Sequence, residues 1–352
     1  MSKDMFRLAV TLAALAVLLF VSAVQSLSFG VIKVSFADIA RMLYYQSFGI
    51  RTPEALQLLA SVQYDVIFDL RLPRIIMAVI CGGGLALGGV VMQAVIRNPL
   101  ADPYILGVSS GAALGATASI ILGFFSMFGI YGVSVGAFLG SIAVTFTVFA
   151  ISFSAAGNRN TTKLILAGMA LNAICSACTG MIVYMAKDME GIRNATFWIM
   201  GSMARASWDS IPLTFGILAL CCLYFIYQFR ILNASLLGDE MAVILGVQLE
   251  RKRKLYLILI AILTSSIVAS VGIIGFVGLV VPHIVRIMYG NNHIKLLPVS
   301  IMAGAIYMVW CDVLARTVLA NTEMPIGILT SLIGGPFFLY LMLSKKYGYG
   351  DS

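Results

Sequence analysis

Two arginines bracket a short segment, Arg71-Leu72-Pro73-Arg74, directly ahead of a long apolar run, and a third, Arg316, follows Asp312 by four residues at the end of another. A guanidinium is a planar fork that holds a carboxylate bidentately, so this set can bind acidic side chains brought from outside the chain. The same arginines could instead anchor helix ends at lipid headgroups or pair locally with Asp69 and Asp312, the last pair sharing one helix face. Other chemistry-bearing patterns are scarce. The only histidines are His283 and His293, and His283, following Pro282, reads as a capping or packing residue. Cys175 and Cys178 form a C-x-x-C, but no second pair or nearby histidine completes a metal site. All six cysteines lie in or beside apolar runs and read as small packing residues. There is no G-x-x-x-x-G-K-[ST] loop for ATP, no H-E-x-x-H, and no G-x-S-x-G flanked as a nucleophile elbow. No catalytic residue and no metal ligand is expected.

The elements that position these residues are membrane helices. Of 352 residues 61% are apolar and 11% charged, far outside the composition of soluble domains. A span needs about 20 mostly apolar residues, and ten runs qualify: 8–27, 73–96, 104–125, 130–152, 163–186, 210–229, 255–273, 274–289, 296–315 and 326–344. The eighth is the shortest, separated from the seventh only by Gly272 and Gly275. The first run follows Lys3 and Arg7 as a signal peptide would, but it is longer than the usual h-region, and it reads as a retained helix. The fold class expected is therefore an all-α integral membrane protein, one transmembrane domain over 1–352, glycine-rich and tightly packed.

Charge sets the orientation. With both ends inside, the inner segments hold 14 of the 23 Lys and Arg; counting acids, the inside stands at +8 and the outside at zero. The positive-inside rule supports this N-in, C-in arrangement, and the basic excess needs no nucleic acid to explain it. Outside, 28–72 has room for an interfacial helix, and 187–209 carries Phe197 and Trp198, expected at headgroup level. Asn98, Pro99, Asp102 and Pro103 read as a tight structural turn on the inner side. Glycines repeat every four residues at 107, 111 and 115, at 132, 136 and 140, and at 84 and 88, the spacing that lets lipid-embedded helices approach closely. Nearly all acidic residues fall at span ends, which disfavours an ion-gradient-driven secondary carrier or channel, since such carriers usually need ionisable groups within the spans.

Several longer motifs resemble the FecCD-type permeases of ABC importers. They are Arg71-Leu72-Pro73-Arg74, Arg97-Asn98-Pro99-Leu100-Ala101-Asp102-Pro103, Leu106-Gly107-Val108-Ser109-Ser110-Gly111-Ala112, the run from Gly275 to Arg286, Met324-Pro325-Ile326-Gly327, and Gly334-Gly335-Pro336. The likeness covers about residue 70 to the C-terminus. It implies a ten-helix subunit in the bacterial cytoplasmic (inner) membrane, working as a homodimer with a second copy of itself, two cytoplasmic ATPase subunits and an extracytoplasmic binding protein. ATP and Mg would sit on the ATPase subunits, with no cofactor on this chain. It also implies docking of the binding protein at Arg71, Arg74 and Arg316, and a cytoplasmic coupling element at 236–247. Within that element Gly238, Asp239, Glu240, Met241, Ala242, Val243, Leu245 and Gly246 match. Acids at its start suit a helix N-terminus, and its apolar residues offer contact to an ATPase or, alternatively, to lipid. The cargo implied is an iron-siderophore, haem or cobalamin.

Overall fold

The structure is a computed structural model that describes residues 3–30, 32, 34–153, 161–244, 246, 248–319 and 322–343. Among these residues all regular structure is helical. In chain order the helices are α1 Lys3–Ser28, α2 Phe36–Phe48, α3 Pro53–Leu59, α4 Val62–Asp65, α5 Leu72–Ile96, α6 Val108–Leu122, α7 Gly132–Phe153 and α8 Thr161–Met185. The second half continues with α9 Met189–Ile199, α10 Ile211–Tyr227, α11 Phe229–Leu236, α12 Asp239–Ile244, α13 Leu249–Val271, α14 Val277–Tyr289, α15 His293–Thr317 and α16 Ile326–Leu343. Six helices among the described residues are long and apolar enough to cross a membrane, and α10 with α11, bent by 63°, makes a seventh candidate. Three apolar helices, α6, α14 and α16, are shorter.

The centre of the bundle is α5, buried without interruption from Ile80 to Val95. Its glycines explain how it gets there. A Cβ on Gly82 would fall on the carbonyl of Gly304 in α15, and one on Gly89 would fall on the carbonyl of Gly278 in α14. Helices α14 and α15 therefore pack against it at backbone contact, while α13 meets Gly84 and Gly88 through the side chains of Ile267, Ile260 and Thr264. The fourfold glycine spacing also pairs α6 with α7, because Gly111 lies against the Gly140 carbonyl and Gly115 against that of Gly136.

Two connections depart from the simple hairpins expected. After α5 the chain turns at Asn98, whose carbonyl accepts from Ala101 N at 3.0 Å, and then climbs back into the bundle. Pro103 meets α5 beside Gly88, eight residues above the inner end of that helix, which is about 12 Å at 1.5 Å per residue. Asn98 and Pro99 thus form the expected tight turn just past α5, whereas Asp102 and Pro103 are inside the protein. The second departure precedes α14. That helix begins only at Val277, beside the middle of α5, after a non-helical stretch in which Gly272 (φ 80°) and Phe276 (φ 68°) adopt positive φ. Tyr104 ties the two departures together: its hydroxyl donates to the Ile274 carbonyl at 2.9 Å and accepts from Ile274 N at 3.2 Å.

Between α1 and α5 the chain forms α2 to α4, with Ser35, Thr52 and Ser61 capping the three helices. The segment 187–209 holds α9, capped by Asp188. Here the aromatic pair splits: Phe197 is exposed, but Trp198 is buried, its carbonyl packed on Gly272. It helps hold the stretch before α14, with its side chain turned into the protein.

Candidate docking and coupling sites

At one end of the bundle the three arginines come together around a cavity of 460 Å³, lined also by Gly30 and Glu323. Each has a different set of partners. Arg74, on the first turn of α5, donates from Nε to Asp312 Oδ1 at 2.6 Å and from Nη2 to Glu323 Oε1. Arg316 pairs with the other oxygen, Asp312 Oδ2, at 3.1 Å. Asp312 is 1% exposed, and a carboxylate so deep in a bundle is tolerable only between cations. Arg71 reaches no carboxylate among the described residues. It donates instead to the Leu27 and Ile32 carbonyls, while Arg316 donates to those of Ser26 and Phe29. Two guanidinium groups thus close the carbonyl end of α1, where cations complement the helix dipole.

Local pairing to Asp312 is present, pairing of Arg71 to Asp69 is not, and three arginines against two carboxylates leave one positive charge facing the cavity. Sequence reasoning missed Glu323 and Gly30. Glu323 is 249 residues from Arg74, so no spacing rule could pair them. Gly30 has φ 148°, a conformation that side-chain-bearing residues rarely adopt, and a Cβ there would also press on Arg71 Nη2 at 2.5 Å.

At the opposite end α10 bends into α11 at Gln228, whose Oε1 accepts from the Tyr256 hydroxyl at 3.1 Å. This turns α11 across the inner ends of its neighbours. Ser235 donates to the Ala94 carbonyl of α5 at 3.3 Å, Asn233 Nδ2 donates to Asn292 at 3.0 Å, and Asn233 Oδ1 accepts from His293 N at 2.9 Å. The six-residue α12 projects beyond this anchored platform. Gly238 (φ 101°) and Gly246 (φ 75°) bound it, Arg97 lies beside Gly238, Ala242 is buried, and Met241 and Ile244 are exposed. Of the expected coupling residues, Leu245 lies outside the described residues, and the side chains of Asp239, Glu240 and Val243 are not described. The element has a short helix with one buried anchor and an exposed apolar edge.

The chain is thus a helical bundle with several apolar spans, a cationic recess at one end and a short helix with an exposed apolar edge at the other. The chain belongs to the FecCD transport family, whose family model matches residues 15–344. It is similar to the hemin transport system permease protein of Yersinia pestis, at 40% identity over 95% of this chain and 96% of that protein. It is also similar to the molybdate import system permease protein of Haemophilus influenzae, at 37% identity over 96% of each chain. Among solved structures it superposes on an inward-facing ABC transporter assigned to the metal-chelate type, with a TM-score of 0.80, 36% identity and coverage of 94% of this chain and 98% of that one.

Proposed function

We propose that this chain is the membrane-spanning subunit of a binding-protein-dependent ABC importer that moves a metal chelate of the siderophore, haem or cobalamin kind. ATP and Mg act on two separate cytoplasmic ATPase subunits, and this chain carries no cofactor and performs no covalent chemistry. It works as a homodimer in the bacterial cytoplasmic membrane, with α6, α14 and α16 crossing alongside the longer helices to make ten spans. The observation that supports this reading most is the likeness to importer permeases along nearly the whole chain, hemin transport included.

The two ends of the molecule divide the work. Outside, the recess around Arg71, Arg74 and Arg316 receives acidic side chains of the binding protein; charge complementarity there sets encounter and register more than affinity. Inside, the segment from Gly238 through Asp239, Glu240, Met241, Ala242, Val243 and Leu245 to Gly246 seats on an ATPase subunit. Movement of α12 passes through α11 to the inner ends of α5 and α15, and the two permease copies rock between outward-open and inward-open states.

The test is ATP hydrolysis by the chain reconstituted in liposomes with its ATPase and binding protein. Cargo-loaded binding protein should raise the rate, and Met241→Glu with Ile244→Glu, on the exposed edge of α12, should abolish ATPase association. If no ATPase associates with the unaltered chain and cargo crosses under an ion gradient alone, the importer reading is wrong. Docking at the arginines is better tested by protection of the recess from hydrogen exchange than by charge reversal, because reversing Arg71 would also release α1.

A further inference from the structure

A second cavity, of 490 Å³, opens on the side of the bundle where the two broken connections meet, between the turn Pro103–Leu106, α6, α8 and the start of α14. Asp102, Ser109 and Asn172 supply its polar lining, and Met169, Phe276 and Leu279 are among its apolar walls. Asp102 uses one oxygen locally, Oδ1 accepting from Tyr104 N at 2.8 Å. Among the described residues Oδ2 accepts no hydrogen bond, and neither the Ser109 hydroxyl nor the Asn172 amide has a side-chain partner. Three unpaired polar side chains thus converge on one cavity well above the inner ends of the helices.

Lipid cannot fill it. An unsatisfied polar group in hydrocarbon costs several kcal/mol, and a carboxylate costs more. Non-helical backbone at membrane depth is likewise tolerated only where it is buried in protein or lines a water-filled space; the stretches before α6 and α14 both border this cavity. Asn172 and Met169 stand on the exposed side of α8, so the cavity opens away from the bundle core.

We infer that this cavity is a water-filled side chamber of the transport path, in which Asp102 accepts the cationic or hydrogen-bond-donating part of the cargo. Ser109 and Asn172 complete a polar rim, and the apolar walls suit the body of a chelate. A carboxylate at this point favours cargo presenting positive charge, amide or hydroxyl donors, and opposes a bare oxyanion. The inference rests on the importer reading and narrows its cargo class.

The experiment uses the reconstituted complex with the six native cysteines replaced and a single reporter, Ser109→Cys or, separately, Asn172→Cys. Two methanethiosulfonates of similar size, one bearing trimethylammonium and one sulfonate, are applied with and without ATP. Each modification forms a mixed disulfide and releases methanesulfinate. A cleft of one sign concentrates counter-ions by about tenfold or more. Both reporters should therefore react in at least one nucleotide state, with the cationic reagent favoured about tenfold over its ratio on a free thiol. Asp102→Asn should return that ratio to the free-thiol value, while Asp102→Glu retains it. Protection of both reporters in every state would overturn the inference, as would modification without charge preference or a preference that survives Asp102→Asn. Binding-protein stimulation of ATP hydrolysis, measured on the same vesicles, reports separately on folding and on the importer reading. Stimulated hydrolysis with an unreactive chamber therefore sinks only the inference drawn here.

Discussion

Helices α5 and α1 are almost equally apolar, yet 89% of the most apolar stretch of the segment containing α5 is buried and only 11% of that of α1. In lipid, apolar surface gains little by turning inward, so hydrophobicity does not choose the central helix; close backbone approach does. The difference lies in small residues. Gly82, Gly83, Gly84, Gly88 and Gly89 run through α5, whereas α1 has no glycine between Lys3 and Ser28 and shows Val17, Leu18 and Phe20 to the outside. Its attachment is one-sided: Leu8, Leu12, Leu15, Leu19 and Leu27 pack toward the core and α15, Trp310 Nε1 donates to Ser22 Oγ at 3.1 Å, and Arg71 and Arg316 close its carbonyl end. One helix is held by close fit on all sides, the other along a single face and by arginines at its carbonyl end.

The strongest attempt to break this contrast is a side chain at Gly89. A Cβ there collides with the Gly278 backbone, which cannot swing aside as a side chain can, so Gly89→Leu should cost more than about 3 kcal/mol, the upper end of ordinary overpacking. The readout is loss of the monodisperse peak in detergent size exclusion. A well-folded variant would show that the helices are held by something other than contact. Next in size is Asp312→Asn. It leaves Arg74 with only half-exposed Glu323 as a carboxylate partner and Arg316 with none in the cluster, and removing one partner from a buried ion pair costs about 3 kcal/mol. It should lower the midpoint of thermal unfolding and loosen α5 against α15.

The contrast also explains what could be read from residues alone. Long helices such as α1, α8, α13 and α15 follow directly from apolar runs, and the Asp312 and Arg316 pair follows from i,i+4 spacing. The glycine ridges of α6 and α7 announced close packing, and the contact between Gly111 and Gly140 is that packing. The depth of a connection was not legible. Asp102 reads as part of an inner turn because Asn98 and Pro99 do form one; only the contact of Pro103 with Gly88 shows the chain doubling back. Nor could spacing find Glu323 for Arg74, or bury Trp198, since both depend on which helices meet. Burial in a membrane chain is set by partners, and partners are not periodic in sequence.

A finer test separates fit from tethering. Arg316→Gln removes two donations to the end of α1, to Ser26 and Phe29, and the Arg316–Asp312 pair, leaving Asp312 to Arg74; hydrogen bonds from a charged group are worth about 2 kcal/mol. Amide exchange should rise in the last turns of α1 and stay unchanged in the middle of α5. Equal rises in both helices would mean that α1 supports the bundle throughout its length.

The smallest effect expected comes from Gly216 in α10, where a Cβ would meet no atom within 4 Å. If the glycines of α5 matter because of close approach, a glycine without a close neighbour should be dispensable. It should even be a liability, since alanine is favoured in a helix interior by about 1 kcal/mol. Gly216→Ala should therefore leave the thermal midpoint unchanged or raise it slightly, while Gly89→Ala, the same chemical change, lowers it sharply. If both lowered it alike, glycine would be serving helix flexibility in α5 and α10 together, and contact with Gly278 and Gly304 would no longer account for the central place of α5.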